Sequence, residues 1–211
     1  MKTFQDFIQE GVNDPGIFKA FYTAGGPGSG KSYVARESGA GKISPYGLKV
    51  IDSDPLFTKM LKDVGMATTP EEIYSDEGQA MRDKAKGLIS KQKDTYMEGR
   101  LGLLIDGTGK DYNKIKKSSD KLRGIGYDTY MIFVNTSLDV ALQRNEARRR
   151  SLDEDEVKKM WNAVQKNMGK FQSYFGRSNF LLVDNNSAGE DVFTKVFVEI
   201  GKLIDTKVGS L

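Results

Sequence analysis

The sequence predicts an α/β fold in which five parallel strands form a sheet covered by helices on both faces. Short apolar runs alternate with longer segments of helical periodicity along the 211 residues. This alternation is typical of strand–helix–strand units with right-handed crossovers, which make the strands parallel. A glycine-rich segment follows the first strand, and polar residues follow the others. The functional residues are therefore expected at the carboxyl edge of the sheet.

Five segments have the composition of buried strands. The first run stops at a glycine-rich segment, and the other four end in aspartate or asparagine. A continuous apolar run indicates burial on both faces of a sheet. The segments are residues 18–24, 48–52, 101–106, 128–135 and 180–184. We expect all five to be buried.

Three helices have start signals in the sequence, and a further helix is expected to begin near Ser137. Each signal pairs a hydroxyl residue with a glutamate three positions later, which is the capping-box spacing. Apolar residues at helical spacing follow each pair and predict packing against the sheet rather than cofactor binding. The pairs are Thr69 with Glu72, Ser151 with Glu154, and Ser187 with Glu190.

The residue types that the chain lacks exclude several classes of chemistry. The sequence contains no cysteine and no histidine, which excludes disulfides, thiol nucleophiles, Cys or His metal sites and histidine acid–base catalysis. An enzyme with this sequence would use carboxylates, lysine, arginine, hydroxyl groups, backbone amides or a hard cation such as Mg²⁺. The net charge of +3 permits an acidic partner without requiring one.

Length and hydropathy predict a single domain over residues 1–211 in the cytoplasm. No stretch approaches 18 apolar residues, and the start of the chain lacks the apolar core of a signal peptide, so we expect no membrane association. Residues 1–16 form an N-terminal extension whose apolar residues suit either a docking helix for a protein partner or a flap on the core.

A glycine-rich segment that ends in lysine and serine separates the first strand from a helix-like segment. It matches the phosphate-loop pattern G-x-x-x-x-G-K-[ST], with the strand before it and the helix after it that the pattern requires. Glycines allow close approach to phosphate oxygens, and the helix start directs free N–H groups at them. We expect Lys31 to contact the β- and γ-phosphates of a nucleotide and Ser32 to hold Mg²⁺. The segment comprises Gly25, Gly26, Pro27, Gly28, Ser29, Gly30, Lys31 and Ser32.

Three aspartates follow the second and third predicted strands. Asp52 and Asp54 come after the second strand and Asp106 after the third, so all three are expected at the edge that carries the phosphate loop. In phosphoryl transfer a carboxylate can accept the proton of the attacking hydroxyl, and others support the metal. Asp54 is the candidate base, and Asp52 and Asp106 are candidate metal ligands. The residues alone leave open which of the three is the base, and turns with solvated carboxylates are the alternative.

Arg144 and Arg148 lie four residues apart in the helix expected to begin near Ser137, and therefore share one face. Both guanidinium groups can point at one anion, as expected of a mobile lid that closes over the transferring phosphoryl group. Basic residues also suit a helix C-terminus electrostatically, which explains the cluster without a substrate. The basic segment 110–123 could face a nucleic acid, but its low aromatic content favours a solvated helix face.

The motifs GGPGSGKS, VIDSD and LLIDGTG, followed by an R-N-x-x-R run and a helix with Met-Trp, resemble P-loop kinases of the polynucleotide-kinase and zeta-toxin type. The resemblance extends over residues 18–184. It implies the P-loop NTPase fold, ATP or GTP as donor, Mg²⁺, and an arginine-bearing lid with Arg144 and Arg148. It also implies that Asp54 activates the acceptor hydroxyl. These families commonly have a basic residue three positions after the base, where this chain has Phe57.

These observations predict an NTP-dependent kinase that moves the γ-phosphoryl group to a hydroxyl group. The acceptor is either the 5′-OH of a nucleic acid or a nucleotide-like small molecule, and a zeta-toxin-like nucleotide-sugar kinase would use the same scaffold. The alternative from another class is a noncatalytic P-loop module that binds nucleotide and acts through a protein partner.

Overall fold

The computed structural model describes residues 15–33, 46–147, 152–187 and 190–205, and within them a five-stranded sheet. The strand order is β2-β3-β1-β4-β5, and every pairing is parallel. The predicted five-stranded parallel sheet is therefore confirmed. The strands are β1 (Lys19–Ala24), β2 (Lys49–Ile51), β3 (Leu103–Ile105), β4 (Asp128–Asn135) and β5 (Phe180–Asp184).

Strands β4 and β5 have the predicted bounds, and the other three are shorter than predicted. β1 begins one residue late because Phe18 has φ of 57°, a left-handed conformation that a strand residue does not adopt. The prediction that all five strands are buried is wrong for β2 and β5. Val50 is 38% exposed and Leu182 is 52% exposed, because each belongs to an edge strand with a neighbour on one side only.

Helices connect the strands, as the alternating pattern predicts. Residues 31–33, directly after the glycine-rich loop, are also helical. The helices are α1 (Asp54–Asp63), α2 (Pro70–Tyr74), α3 (Asp76–Glu98), α4 (Tyr112–Arg123), α5 (Leu138–Glu146), α6 (Glu154–Phe175) and α7 (Glu190–Ile204), and a short 3₁₀ turn spans Arg177–Asn179.

The helix expected to begin after Thr69 is divided into two helices, which corrects the sequence prediction. Thr69 makes no side-chain cap to α2, and that helix ends at Tyr74. Ser75 then caps α3, because its Oγ accepts a hydrogen bond of 3.1 Å from the backbone N–H of Gly78. Extended backbone at Ser75, with ψ of 159°, separates the two helices.

Of two other predicted helix starts, the structure confirms one and contradicts the other. The helix after β4 begins as predicted, because the Ser137 hydroxyl accepts from the backbone N–H of Val140 at 3.3 Å. The predicted cap of α6 is wrong: Asp153 caps it, with its carboxylate accepting from the N–H of Asp155 at 2.9 Å. A carboxylate is a stronger acceptor than a hydroxyl at a helix start. Ser151 lies outside the described residues.

The hydrophobic core has one layer on each face of the sheet. On one face, Tyr22 and Phe133 pack with Val164 and Phe171 of α6 and with residues of α3 and α4. On the other face, strand residues including Phe21 and Ile132 pack against α7. Burial on both faces confirms the doubly covered sheet. None of the described helices is long and apolar enough to cross a membrane.

Candidate active site

The glycine-rich loop joins β1 to the helical residues 31–33, as the phosphate-loop pattern predicts. Gly28 and Gly30 have φ of 76° and 79°, the left-handed region that side chains rarely adopt. A Cβ at Gly28 would clash with the backbone of Ala141, and one at Gly30 would clash with the side chain of Asn185. Other residue types would therefore distort the loop.

Residues far along the chain hold the loop in place, and the sequence analysis did not identify them. The side-chain amide of Asn185 donates to the carbonyl oxygen of Ser29 at 2.7 Å. Trp161 packs beside Gly26, and its indole N–H donates to the carbonyl oxygen of Thr136 at 2.9 Å. Asn185 directly follows β5, at the edge of the sheet where ligands bind in folds of this class. Its position after a predicted strand could therefore have identified it as a site residue.

Lys31 and Asp106 form a charged pair at the centre of the site. The Lys31 Nζ lies 2.7 Å from both carboxylate oxygens, and both side chains are largely shielded from solvent. The hydroxyl of Thr23 donates to the same carboxylate at 2.8 Å and accepts from the backbone N–H of Gly107 at 3.3 Å. No local motif marks Thr23, which comes close to Asp106 only because β1 and β3 are neighbours in the sheet.

Asp52 and Asp54 lie together at the start of α1. The backbone N–H of Asp54 donates to the Asp52 carboxylate at 2.9 Å. Burial raises the pKa of Asp52, and the negative charges of Asp106 and Asp54 raise it further, against the lowering effects of that hydrogen bond and of Lys31. The structure therefore brings Asp106 and Asp54 close enough to Asp52 to act on its carboxylate.

Arg144 reaches over the glycine-rich loop from the last turn of α5. Its guanidinium lies 3.5 Å from the carbonyl oxygen of Gly28 and 3.4 Å from that of Asn186. Its neighbour Asn145 makes two hydrogen bonds with the backbone of Leu152, of 2.8 and 3.0 Å, which connect α5 to the start of α6. Arg148, the second predicted lid arginine, lies outside the described residues.

The predicted metal ligands stay a prediction. Within the described ranges, no group of three or more acidic side chains is arranged to hold a metal ion. Mg²⁺ in kinases usually needs one or two carboxylates, together with water and phosphate oxygens. Ser32 follows Lys31, which contacts Asp106 and whose charge acts on Asp52. One hydroxyl and two carboxylates at this edge of the sheet suit that smaller donor set.

Two cavities adjoin at this edge of the sheet. The first, of about 480 Å³, is lined by the glycine-rich loop together with Asp54, Leu152 and Met160. The second, of about 460 Å³, includes Asp106 in its wall and extends between α3 and α4. Thr108 lines both cavities. Lys31 lines the first cavity and Asp106 lines the second, so this charged pair lies where the two cavities meet.

Phe57 occupies the position where the resembling families commonly have a basic residue. The structure buries its side chain to 1% exposure between α1 and α3. The guanidinium of Arg82, on α3, lies 4.4 Å from the centre of the Phe57 ring. The basic group near Phe57 therefore comes from α3 and not from α1.

The fold and the loop define a P-loop phosphotransferase, and comparison with known families agrees. The model of the zeta toxin family matches residues 17–196. The chain therefore belongs to the zeta toxin family. No curated protein matches the chain closely enough to support a comparison.

Solved structures share the fold at low sequence identity. A chain of the PezAT chromosomal toxin-antitoxin system of Streptococcus pneumoniae is 15% identical, with a TM-score of 0.56 over 97% of this chain and 96% of that one. Shikimate kinase from Bacteroides thetaiotaomicron is 13% identical, with a TM-score of 0.55 over 89% and 99%. A chain of the Pnkp1/Rnl/Hen1 RNA repair complex is 15% identical, with a TM-score of 0.54 over 72% and 46%.

Proposed function

We propose that this chain transfers the γ-phosphoryl group of ATP, or of GTP, to a hydroxyl group of an acceptor. The observation that carries the proposal is the contact between the two cavities at Lys31 and Asp106. The cavity with the glycine-rich loop suits the triphosphate of the donor, and the cavity between α3 and α4 suits the acceptor. The reacting atoms would meet where the cavities adjoin.

The glycine-rich loop would hold the triphosphate through backbone N–H groups, and Lys31 would neutralise charge on the β- and γ-phosphates. Lys31 now donates to both oxygens of Asp106, so the triphosphate competes with this carboxylate for the ammonium group. Mg²⁺, held by Ser32 with Asp52 and Asp106, would supply charge neutralisation at the phosphates.

Asp54 is the proposed general base. Its carboxylate is exposed and lines the donor cavity next to the acceptor cavity, whose wall includes the adjacent Ser53. The hydroxyl oxygen of the acceptor would form a bond to the γ-phosphorus while the bond from that phosphorus to the β–γ bridging oxygen breaks. Asp54 would accept the hydroxyl proton, and the nucleoside diphosphate would leave with the bridging oxygen.

Arg144 and Arg148 would stabilise the charge of the transferring group. The Arg144 guanidinium already lies beside the carbonyl oxygen of Gly28 in the loop. Arg148, two residues beyond the end of α5 in the sequence, would join it in the lid that the sequence predicts. Arginines supplied by the same chain suit a kinase that works without an activating partner.

The decisive test is the variant Lys31→Met, assayed for transfer from γ-labelled ATP to 5′-OH oligonucleotides, nucleosides and nucleotide sugars. We expect transfer to fall by about 100-fold or more, because the variant loses a charge that acts on the transition state. Lys62→Met, at an exposed position at the end of α1, is the matched control and should retain full activity. Equal activity of both variants would refute the mechanism. Tight nucleotide binding by the native protein without transfer to any acceptor would instead favour the noncatalytic module.

A protein partner is a further part of the proposal. One similar structure belongs to the PezAT toxin-antitoxin system, and another is of AvrRxo1-ORF1 with AvrRxo1-ORF2. A docking helix within residues 1–16 would give this chain a surface for a protein partner. Residues 1–14 lie outside the described residues. The test is to delete this segment and to ask whether a protein that binds the full chain is no longer bound.

A further inference from the structure

Thr23 is a fully buried polar residue near the carboxyl end of β1. Its hydroxyl donates to the carboxylate of Asp106 at 2.8 Å and accepts from the backbone N–H of Gly107 at 3.3 Å. Valine has the same branched shape and is at least as common in strands, so packing alone does not require a hydroxyl here. The hydroxyl of Thr23 therefore contributes through its two hydrogen bonds.

Thr23 can act on the candidate active site only through its neighbours. It lines neither of the two cavities, whereas Asp106 lines the cavity between α3 and α4, and Lys31, the partner of Asp106, lines the donor cavity. The backbone N–H of Asp106 donates to the carbonyl oxygen of Ile51 in β2 at 3.0 Å. Because this hydrogen bond fixes the backbone of Asp106, the partners of its side chain decide where the carboxylate points.

The Asp106 carboxylate has two side-chain donors among the described residues, and the proposed function removes one of them. These donors are Lys31, whose Nζ lies 2.7 Å from both oxygens, and the hydroxyl of Thr23. In the proposed function, Lys31 turns to the triphosphate, so the carboxylate loses its contacts with the ammonium group. Thr23 lies in the core beside Asp106, where a nucleotide does not displace it, and its hydrogen bond remains.

We propose that Thr23 is a positioning residue that keeps the Asp106 carboxylate directed at the site while Lys31 binds the triphosphate. This inference rests on the proposed function, because it adds a residue to the same site. Asp106 is a candidate ligand of Mg²⁺, and a ligand carboxylate that accepts a further hydrogen bond is oriented before the metal binds. Loss of such a supporting hydrogen bond typically costs about 10- to 100-fold in metal affinity or activity.

The test measures how much magnesium the full chain needs when AMPPNP, a nonhydrolysable ATP analogue, is present at saturation. The melting temperature is recorded while magnesium is titrated, which gives the magnesium concentration of half-maximal stabilisation. We expect Thr23→Val to raise this concentration about tenfold, because the Asp106 carboxylate loses its hydroxyl donor. Binding of AMPPNP without magnesium, measured by calorimetry, should equal that of the native protein, since the glycine-rich loop and Lys31 are unchanged.

Thr23→Ser and Thr129→Val are the controls. Serine keeps the hydroxyl, so Thr23→Ser should retain the native magnesium requirement. Thr129 is a fully buried threonine of β4 that lines neither cavity, and its hydroxyl oxygen accepts from Ser119 at 2.8 Å and from Arg123 at 2.6 Å. Thr129→Val therefore removes a comparable buried hydroxyl, and it should lower stability without changing the magnesium requirement.

Three results would overturn the inference and leave the proposed function standing: a native magnesium requirement in Thr23→Val, an equal rise in Thr129→Val, or an equal rise in Thr23→Ser. Weaker binding of AMPPNP to Thr23→Val without magnesium would also overturn it, because Thr23 would then support the glycine-rich loop instead of Asp106. Failure of the native protein to bind AMPPNP would remove the proposed function and the inference with it. If Thr23→Val does not fold, Thr23→Ala, which also lacks the hydroxyl, must show the same rise.

Discussion

Lys93 of α3 lines the cavity between α3 and α4, where burial opposes its ionisation. Its pKa lies below the ordinary value of 10.5, first because of burial and second because of the charge of Lys121. The unfolded chain therefore binds the proton more tightly than the folded chain. Protonation of Lys93 costs the native state stability at neutral pH, and the cost is relieved as pH rises from the folded pKa toward 10.5.

The variant Lys93→Met should consequently raise the melting temperature at pH 7. Methionine has a similar length and no charge, and Ser118 keeps its hydrogen-bonding contact with Tyr22. The advantage of the variant should shrink between pH 7 and pH 10.5, as measured by thermal unfolding at several pH values. Lys84→Met, at an exposed position of the same helix, should show no such trend. A lower melting temperature of Lys93→Met at pH 7 would show that the lysine stabilises the fold.

Helix boundaries around Ser75 show how one capping residue organises an element. The Ser75 Oγ accepts from the N–H of Gly78 and donates to the carbonyl oxygen of Glu72 at 2.7 Å, so it ends α2 and begins α3 together. α3 supplies Lys86 and Lys93 to the wall of the cavity between α3 and α4. The cap therefore helps to position one wall of the candidate active site.

Replacing Ser75 with alanine should lower the free energy of unfolding by about 1 kcal/mol, the usual cost of a lost helix cap. Thr69→Ala is the matched control, because Thr69 occupies the equivalent position of α2 without forming a side-chain cap. Urea unfolding of both variants measures the difference. Equal losses in the two variants would mean that the Ser75 hydrogen bonds contribute nothing specific.

At the scale of the whole molecule, nucleotide binding should stabilise the folded chain. A ligand that binds only the native state adds about 2.7 kcal/mol at a free concentration of 100 times Kd. In a domain of this size that corresponds to a rise in melting temperature of roughly 5–10 °C.

Thermal unfolding with magnesium and AMPPNP measures this shift. Lys31→Met should lose most of it, and Lys62→Met should retain it. Removing the metal with EDTA should reduce the shift for the native protein, since Mg²⁺ neutralises the phosphates in the loop. A native protein that melts at the same temperature with and without nucleotide would contradict the assignment of the donor cavity.

The local motifs were predictable because their geometry depends on neighbouring residues. The glycine-rich loop follows from the spacing of Gly25, Gly30, Lys31 and Ser32, and β4 from its continuous apolar run. The start of α6 was misplaced because two acceptors, Ser151 and Asp153, lie two residues apart and either can cap a helix. Sequence spacing alone does not rank such neighbours.

The sequence analysis missed the residues that hold the glycine-rich loop and its charged pair in place, because those residues lie far from their partners in the chain. Asn185 contacts Ser29 across 156 positions, and Thr23 contacts Asp106 across 83 positions. Both contacts exist only because parallel strands bring their carboxyl ends to one edge of the sheet. A rule that examines the residue after every strand would have found Asn185, but Thr23 lies inside β1 and follows no such rule.

The sequence by itself determined the parallel α/β class, the phosphate loop and the aspartates at its edge, because periodicity and short motifs are encoded by residues close together in the chain. Only the tertiary structure decided that Lys31 pairs with Asp106 and that lysines from α3 and α4 line a second cavity. The physical reason is that such contacts depend on how distant strands and helices pack, and no single segment carries that information.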